Sequence, residues 1–360
     1  MAYERVAAWF YDQVWSIRPE KLAVLEALLL TRIAGNRIEA EDVAAVVGAR
    51  RDRGGGPQRP AGTVAVLPIY GVIAQRGDLM TESSGGTSTE AIARGLRLAV
   101  ADPEIGGIVL DVDSPGGSVF GIEELASEIA AAQRHKPIVA VANAQAASAA
   151  YWLASQAGEL VVTPSGEVGS IVVLAAHQDV SAAQEQAGIR TSLVTAGTYK
   201  GEGNPYEPLT LEARAALQAR VDDYYGAFTR AVAKGRRTTV DAVRGGFGEG
   251  RMVGAADAVK LGMADRVETL DHAIARLQAL LANGGGGQAL AAEHWLPPIE
   301  GAEPEAAELW LGDEASSPAQ IAAETPLAPE VAADAQDGSR HTGPDLRRRR
   351  LLLRARAARF

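Results

Sequence analysis

Ser148 stands in the run Asn143-Ala144-Gln145-Ala146-Ala147-Ser148-Ala149-Ala150-Tyr151-Trp152. An apolar stretch precedes it and a helix-forming stretch follows. A serine at that junction has two uses. It caps the helix through its hydroxyl, or it acts as a nucleophile whose developing charge is met by the free N–H groups of the helix start. The alanines around it leave room for a peptide to lie against the backbone. No Gly-x-Ser-x-Gly elbow surrounds it, which excludes the ordinary α/β-hydrolase arrangement. A second segment, Asp113-Ser114-Pro115-Gly116-Gly117-Ser118, places two glycines directly after a short apolar run. Bare glycine backbone lets a ligand approach closely and offers N–H donors, as an oxyanion hole requires; the same Pro-Gly-Gly also reads as a plain strand-to-helix turn.

A nucleophilic serine needs a base. The five histidines are His135, His177, His272, His294 and His341. Only His177, at the end of an apolar run and two residues before Asp179, allows a Ser148–His177–Asp179 triad on paper. A base and its orienting carboxylate two residues apart in a strand would share one face, which suits no obvious relay. The alternative is Lys200, in Thr195-Ala196-Gly197-Thr198-Tyr199-Lys200-Gly201-Glu202-Gly203. A lysine serves as a base only where burial among apolar neighbours favours its neutral form. Spacing alone fits an exposed loop lysine equally well.

The elements that must position these residues are legible as alternating strand-like and helix-like runs. Strands are expected at 63–72, 107–112, 137–142, 160–163, 171–175 and 191–195, and helices at 89–100, 119–134, 148–156, 181–187 and 209–234. Short apolar strands separated by helices imply an α/β fold with much parallel pairing. Before this body, 19–30 and 38–47 read as amphipathic helices, the first with Pro19 near its start. The organisation expected is a helical N-terminal region (1–49), an Arg/Gly/Pro linker (50–62), a folded body (63–282) and an Ala/Glu/Pro-rich tail (283–360) that opens on four glycines. Residues 347–359 end the tail with arginines around Leu351-Leu352-Leu353. They are either a solvated charge run or a docking segment for an acidic surface or nucleic acid.

Composition narrows the classes. Apolar residues make up 47% of the 360, enough for a sizeable core, and the formal net charge of −10 does not suit a nucleic-acid-binding body. The absence of cysteine excludes disulfides, thiolate metal sites and a cysteine nucleophile. No run reaches the length of a membrane helix, and the first ten residues do not read as a signal peptide, so a soluble protein kept in the compartment where it is made, the cytoplasm, is expected.

Together, Asp113–Val119, Ala146–Trp152, Val168–Val172, Gly197–Lys200 with Asn204-Pro205-Tyr206, Gly250–Gly254 and Leu261–Asp265 resemble, in order, the signal peptide peptidase A family of serine peptidases, and within it the head (capsid assembly) proteases of tailed phages. The resemblance covers about 64–281. It implies a ClpP/crotonase-like ββα spiral and a Ser/Lys dyad with no metal or cofactor. Ser148 would be the nucleophile, Lys200 its general base and Ser170 a serine that positions the lysine. The oxyanion donors would be the N–H groups of Gly117 and Ala149, beside Gly116, and His177 would be structural. It further implies protein substrates such as scaffold, portal or coat proteins, and a homo-oligomeric ring in which serine and lysine come from adjacent subunits, working in the host cytoplasm or the assembling procapsid. The sequence departs from the family pattern at Ala149-Ala150, where Gly-Gly is usual, and at Val172, where glycine is usual. Rival readings are a soluble bacterial signal-peptide-peptidase-like protease, a crotonase-type acyl-CoA hydratase or isomerase, and an inactive assembly protein on the same fold.

Overall fold

A computed structural model describes residues 10–11, 13–33, 63–77 and 86–283. The expected helix at 38–47, the linker at 50–62 and the tail from residue 284 with its basic end lie outside the described residues. In chain order the elements are β1 (Trp15–Ile17), α1 (Pro19–Ile33), β2 (Thr63–Tyr70), β3 (Ile73–Ala74), β4 (Thr87–Ser88), α2 (Thr89–Ala101), β5 (Ile105–Ser114), β6 (Gly116–Ser118), α3 (Ile122–Ala132), β7 (Ile138–Ala147), α4 (Ala149–Ala154), β8 (Glu159–Val162) and β9 (Glu167–Gly169), followed by α5 (Ser181–Gln186), α6 (Leu211–Gly235), α7 (Val240–Gly246), β10 (Met252–Gly254), α8 (Ala255–Lys260), β11 (Arg266–Val267) and α9 (Leu270–Ala282).

The chain winds as a spiral of ββα turns. In each of the first two turns a long strand joins one sheet, a short strand joins a second sheet, and a helix returns: β2, β3 and α2, then β5, β6 and α3. The third long strand, β7, runs parallel beside β5, as β5 does beside β2. The large sheet has the path β10-β9-β7-β5-β2, with β8 also on β7 and β11 on β8; the small sheet has the order β1-β6-β3-β4. The α/β class and spiral expected from sequence are therefore found.

Parallel strands covered on both faces need apolar residues at nearly every position, and β5 and β7 supply them. Ile108, Leu110 and Val112 pack with Ala140 and Ala142 toward α2, α3 and α4, while Val109, Val139, Val141 and Val161 pack toward Leu270, Ala273 and Leu277 of α9. Each fully buried aliphatic side chain contributes about 1.5–3 kcal/mol. The helices obey their sequence signals. In α3, Ile122, Leu125, Ala126 and Ile129 recur at helical spacing on the buried face. Ser88 caps α2 through Ala91 N, and Thr210 caps α6 through Ala213 N.

Two expected strands are not formed. Among the described residues 171–175 makes only a single bridge, Leu174 with Trp15, and 191–195 has no strand at all. The run Ser192-Leu193-Val194 is apolar but finds no pairing edge, and Val194 is 98% exposed. A strand needs a partner as well as a propensity.

Behind α4, Trp152 stacks on Phe228 with ring centroids 4.7 Å apart, and the Tyr151 hydroxyl donates to Met263 O at 2.9 Å. Arg236 braces that wall with a two-point bridge to Asp265 (2.9 and 2.7 Å), and Leu160 N donates to the same carboxylate at 2.6 Å. Burial pushes the Asp265 carboxyl up, but the hydrogen bonds and charge of Arg236 and the Leu160 N–H outweigh it and hold the carboxyl below its ordinary value. A lowered folded value means stability that is present above the ordinary carboxylate range and lost as pH falls through the folded value. Asp265→Asn is expected to lower the unfolding free energy near neutral pH by about 2 kcal/mol, after allowance for the partly open carboxylate. Urea titrations at neutral and acid pH should show the gap between variant and wild type closing on the acid side. Gly117 presents a harder limit. A β-carbon there would lie 1.8 Å from Ile73 O on β3, so Gly117→Ala is expected to cost at least about 3 kcal/mol, read from the same titration.

Candidate functional site

Strand β7 ends at Ala147, and the chain then turns sharply into α4 through Ser148. Its φ of 56° and ψ of −119° are seldom adopted by a residue with a side chain, and such a conformation costs about 1–3 kcal/mol. Neighbouring backbone holds it there: Ser148 N donates to Gly169 O at 2.7 Å, at the end of β9. Ser148 sits at the N-cap position of α4, but its hydroxyl makes no cap bond. The capping use considered from sequence is thus not the one adopted. The hydroxyl turns instead toward Ser16 Oγ, at 2.7 Å, and Val172 O, at 3.4 Å.

The glycine pair lies directly alongside. A β-carbon on Gly116 would stand 3.0 Å from both Ser148 Cβ and Ala147 O, and 2.3 Å from Ser16 O. Gly116 also takes a φ of +97°, so glycine is required there for conformation as well as space. Residues 116–118 form β6 rather than a plain turn, and the hydroxyl of Ser114 fixes its start by donating to Gly71 O and accepting from Gly116 N. Ala149 opens α4, where the first N–H groups of a helix have no intrahelical partner. Ser148, Gly116, Gly117 and Ala149 are thus brought together, and all four are buried. Ser170 follows Gly169 at the edge of the same cluster, 3% exposed and with a φ of +53°.

Lys200 is not brought to this cluster. It lies in an exposed stretch, and its ammonium meets no partner among the described residues. His177 is engaged elsewhere: its Nε2 lies 3.1 Å from Asn204 O. Asp179 accepts from Ser181 N at 2.9 Å, and bonds from the Ser181 side chain and backbone, with a smaller contribution from the His177 charge, hold its carboxyl below the usual range. The structure therefore places neither candidate base on Ser148.

One residue of the cluster went unnoticed in the sequence. Ser16 lies on β1, antiparallel to β6, in register with Gly117; its hydroxyl reaches Ser148 Oγ and Val172 O, the latter at 3.2 Å. The available signal was Trp15-Ser16-Ile17 immediately before Arg18-Pro19, an aromatic–small–aliphatic run just ahead of a helix start.

Known proteins resemble this chain over the same region. The head-tail preconnector protein GP5 of Enterobacteria phage P21 is 35% identical over 225 residues, covering 62% of this chain and 44% of that protein. Capsid assembly protease C of Escherichia phage lambda is 32% identical over 250 residues, covering 68% and 56%. The chain thus spans about half the length of these phage relatives. Among solved structures, a ClpP1 from Listeria monocytogenes aligns with a TM-score of 0.36 at 13% identity, over 58% of this chain and 94% of that one. Residues 130–283, from the end of α3 through β7, Ser148 and α9, match a described family, and the chain accordingly carries a Peptidase family S49 domain.

Proposed function

We propose that the chain is a serine endopeptidase using Ser148 and Lys200 as a dyad, and that it acts on proteins of an assembling phage head. The observation that carries this reading is the strained turn that seats Ser148 against a side-chain-free glycine backbone. Such strain persists only where its surroundings over-determine it. Ser148 Oγ gives its proton to neutral Lys200 Nζ and attacks a peptide carbonyl. The N–H groups of Gly117 and Ala149 hold the oxyanion, Lys200 returns the proton to the leaving amine, and water releases the acyl group from Ser148. Ser170, beside Ser148, positions the lysine. The phage relatives, one named as a capsid assembly protease, support the choice of substrate.

Lys200 reaches Ser148 in this reading from an adjacent copy of the chain. Its stretch is exposed and carries apolar side chains with nothing over them: Ile189 at 55%, Leu193 at 49% and Tyr199 at 62%, beside Val194. A monomer gains nothing from presenting these to water, whereas a neighbouring subunit would cover them.

Three outcomes are expected when cleavage of a co-expressed coat or scaffold protein is followed by intact mass. Ser148→Ala and Lys200→Ala abolish cleavage, while His177→Ala retains it. An active Lys200→Ala beside a dead His177→Ala would replace the dyad with a triad. Loss of all cleavage in the wild type, with assembly intact, would favour an inactive assembly protein. Mixing Ser148→Ala with Lys200→Ala subunits before assembly restores about a quarter of wild-type activity if the dyad forms between copies, since half the subunits keep the serine and half of their neighbours keep the lysine. No recovery would place both groups on one subunit.

A further inference from the structure

Strand β1 fills the space in front of Ser148. It pairs antiparallel with β6, Trp15 with Ser118, Ser16 with Gly117 and Ile17 with Gly116. On its other edge Trp15 N donates to Leu174 O and Leu174 N to Trp15 O, both at 2.9 Å. Beyond the strand's ends the ladder continues: Val119 N donates to Val14 O, and Arg18 N to Pro115 O, each at 3.1 Å. In an antiparallel pair, hydrogen-bonded residues alternate, so bonds at residues 14 and 18 place Ser16 in the bonded pair with Gly117. The Gly117 N–H therefore faces the Ser16 carbonyl. That carbonyl oxygen lies so close to Gly116 that a β-carbon there would meet it at 2.3 Å, and the Ser16 hydroxyl is 2.7 Å from that of Ser148.

An extended chain, bonded along both edges, with one carbonyl facing a glycine N–H beside a nucleophile, has the arrangement of a peptide awaiting attack. We propose that the groove between β6 and residues 172–174 is an extended-peptide site whose resident ligand is the chain's own Val14–Arg18, with Ser16 at the position of the residue whose carbonyl is attacked. The segment excludes other peptides until it leaves, and the groove accepts a small side chain at the place of Ser16. The burial fits: Ser16 and Ser148 are both 0% exposed, so no second peptide reaches the nucleophile while β1 is seated. The seat is a small apolar cluster of its own. Phe10, Trp15 and Ile17 pack with Leu22, Leu25 and Leu29 of α1 and with Val72. Removing β1 leaves β6 as an open sheet edge, a ready acceptor for another strand.

That the groove is a substrate site rests on the peptidase reading; the seat of β1 on Ser148 does not. The test exploits the absence of cysteine from the chain. In the full chain, Ser148→Cys gives a single thiol whose reaction with 5,5′-dithiobis(2-nitrobenzoate) reports access to the site without any catalysis. Labelling is expected to be slow, and adding Ile17→Asp, which puts a charge into the β1 seat, should speed it about tenfold or more. Equal rates in the two proteins would overturn the proposal. Should Ile17→Asp not fold, a second pair decides: Ser16→Cys with Ser148→Cys is expected to close an intramolecular disulfide on mild oxidation, seen as a loss of about 2 Da and two blocked thiols. Two free thiols after oxidation would overturn the seat. With Ser148 intact, Ile17→Asp should raise hydrolysis of an alanine-rich fluorogenic peptide about fivefold or more, and unchanged hydrolysis beside faster thiol labelling would overturn the inhibitory role. No hydrolysis in either protein, with labelling and disulfide as expected, would sink the peptidase reading and leave β1 seated in the groove.

Discussion

Strands β3 and β6 run side by side only because residue 117 has no side chain; an added β-carbon would lie 1.8 Å from the Ile73 carbonyl oxygen. This contact decides where the small sheet crosses the end of the large one. From it follows the placement of Gly116, which lies against Ala147 and Ser148 with little room to spare, and of the outer edge of β6 on which β1 lies. Larger residues at these two positions would push β6 away from β7 and remove bare backbone from the neighbourhood of the Ser148 hydroxyl. The glycines serve two ends at once: they let the sheets approach, and the same bareness makes the Gly117 N–H accessible to a carbonyl.

The turn at Ser148 is the second constraint, and it is held from outside. A positive φ on a serine is unfavourable in isolation, yet the surroundings leave it no alternative. Its N–H is tied to Gly169 O, and α4 behind it is wholly buried, with Trp152 stacked on Phe228 and Tyr151 bonded to Met263 O. Arg236 and Asp265 fasten the far side of that wall to β8 through Leu160 N. Strain at Ser148 is thus offset by apolar burial and a two-point ion pair one layer away, so weakening the wall should reach the turn at Ser148 before it unfolds the domain.

The body of the fold was legible because its signals are local. Continuous Val/Ile/Leu/Ala runs gave β2, β5 and β7, helical spacing of apolar residues gave α2, α3 and α6, and Ser148 with Gly116-Gly117 stood out by residue type. What was missed depends on partners distant in sequence. Nothing in Trp15-Ser16-Ile17 reveals that a three-residue strand will pair with residues a hundred positions later; its burial comes from β6, Leu174, α1 and Val72 together. Residues 191–195 fail in the opposite sense. Their apolar content suggests a strand, but within the described residues they find no edge to pair with, and Leu193 and Val194 remain in water. The same gap separates Lys200 from Ser148: residue type nominates the lysine, and only tertiary or quaternary placement could bring it to the serine.

The exposed lysine and the buried serine bear on each other. A segment tethered two residues from a helix that begins at Pro19 competes for its groove at an effective concentration in the millimolar range or above, far beyond that of most free peptides. Its seat adds backbone bonds on both edges, each worth about 0.5–1.5 kcal/mol, and the burial of Trp15 and Ile17. A substrate arriving alone would seldom displace it. An arriving neighbour could do so if contact with the exposed 185–200 stretch also disturbed Leu174, whose two bonds to Trp15 close the outer edge of β1. In that scheme subunit contact would deliver the base and loosen the resident strand together, and hydrolysis would be confined to the assembled particle by ordinary mass action.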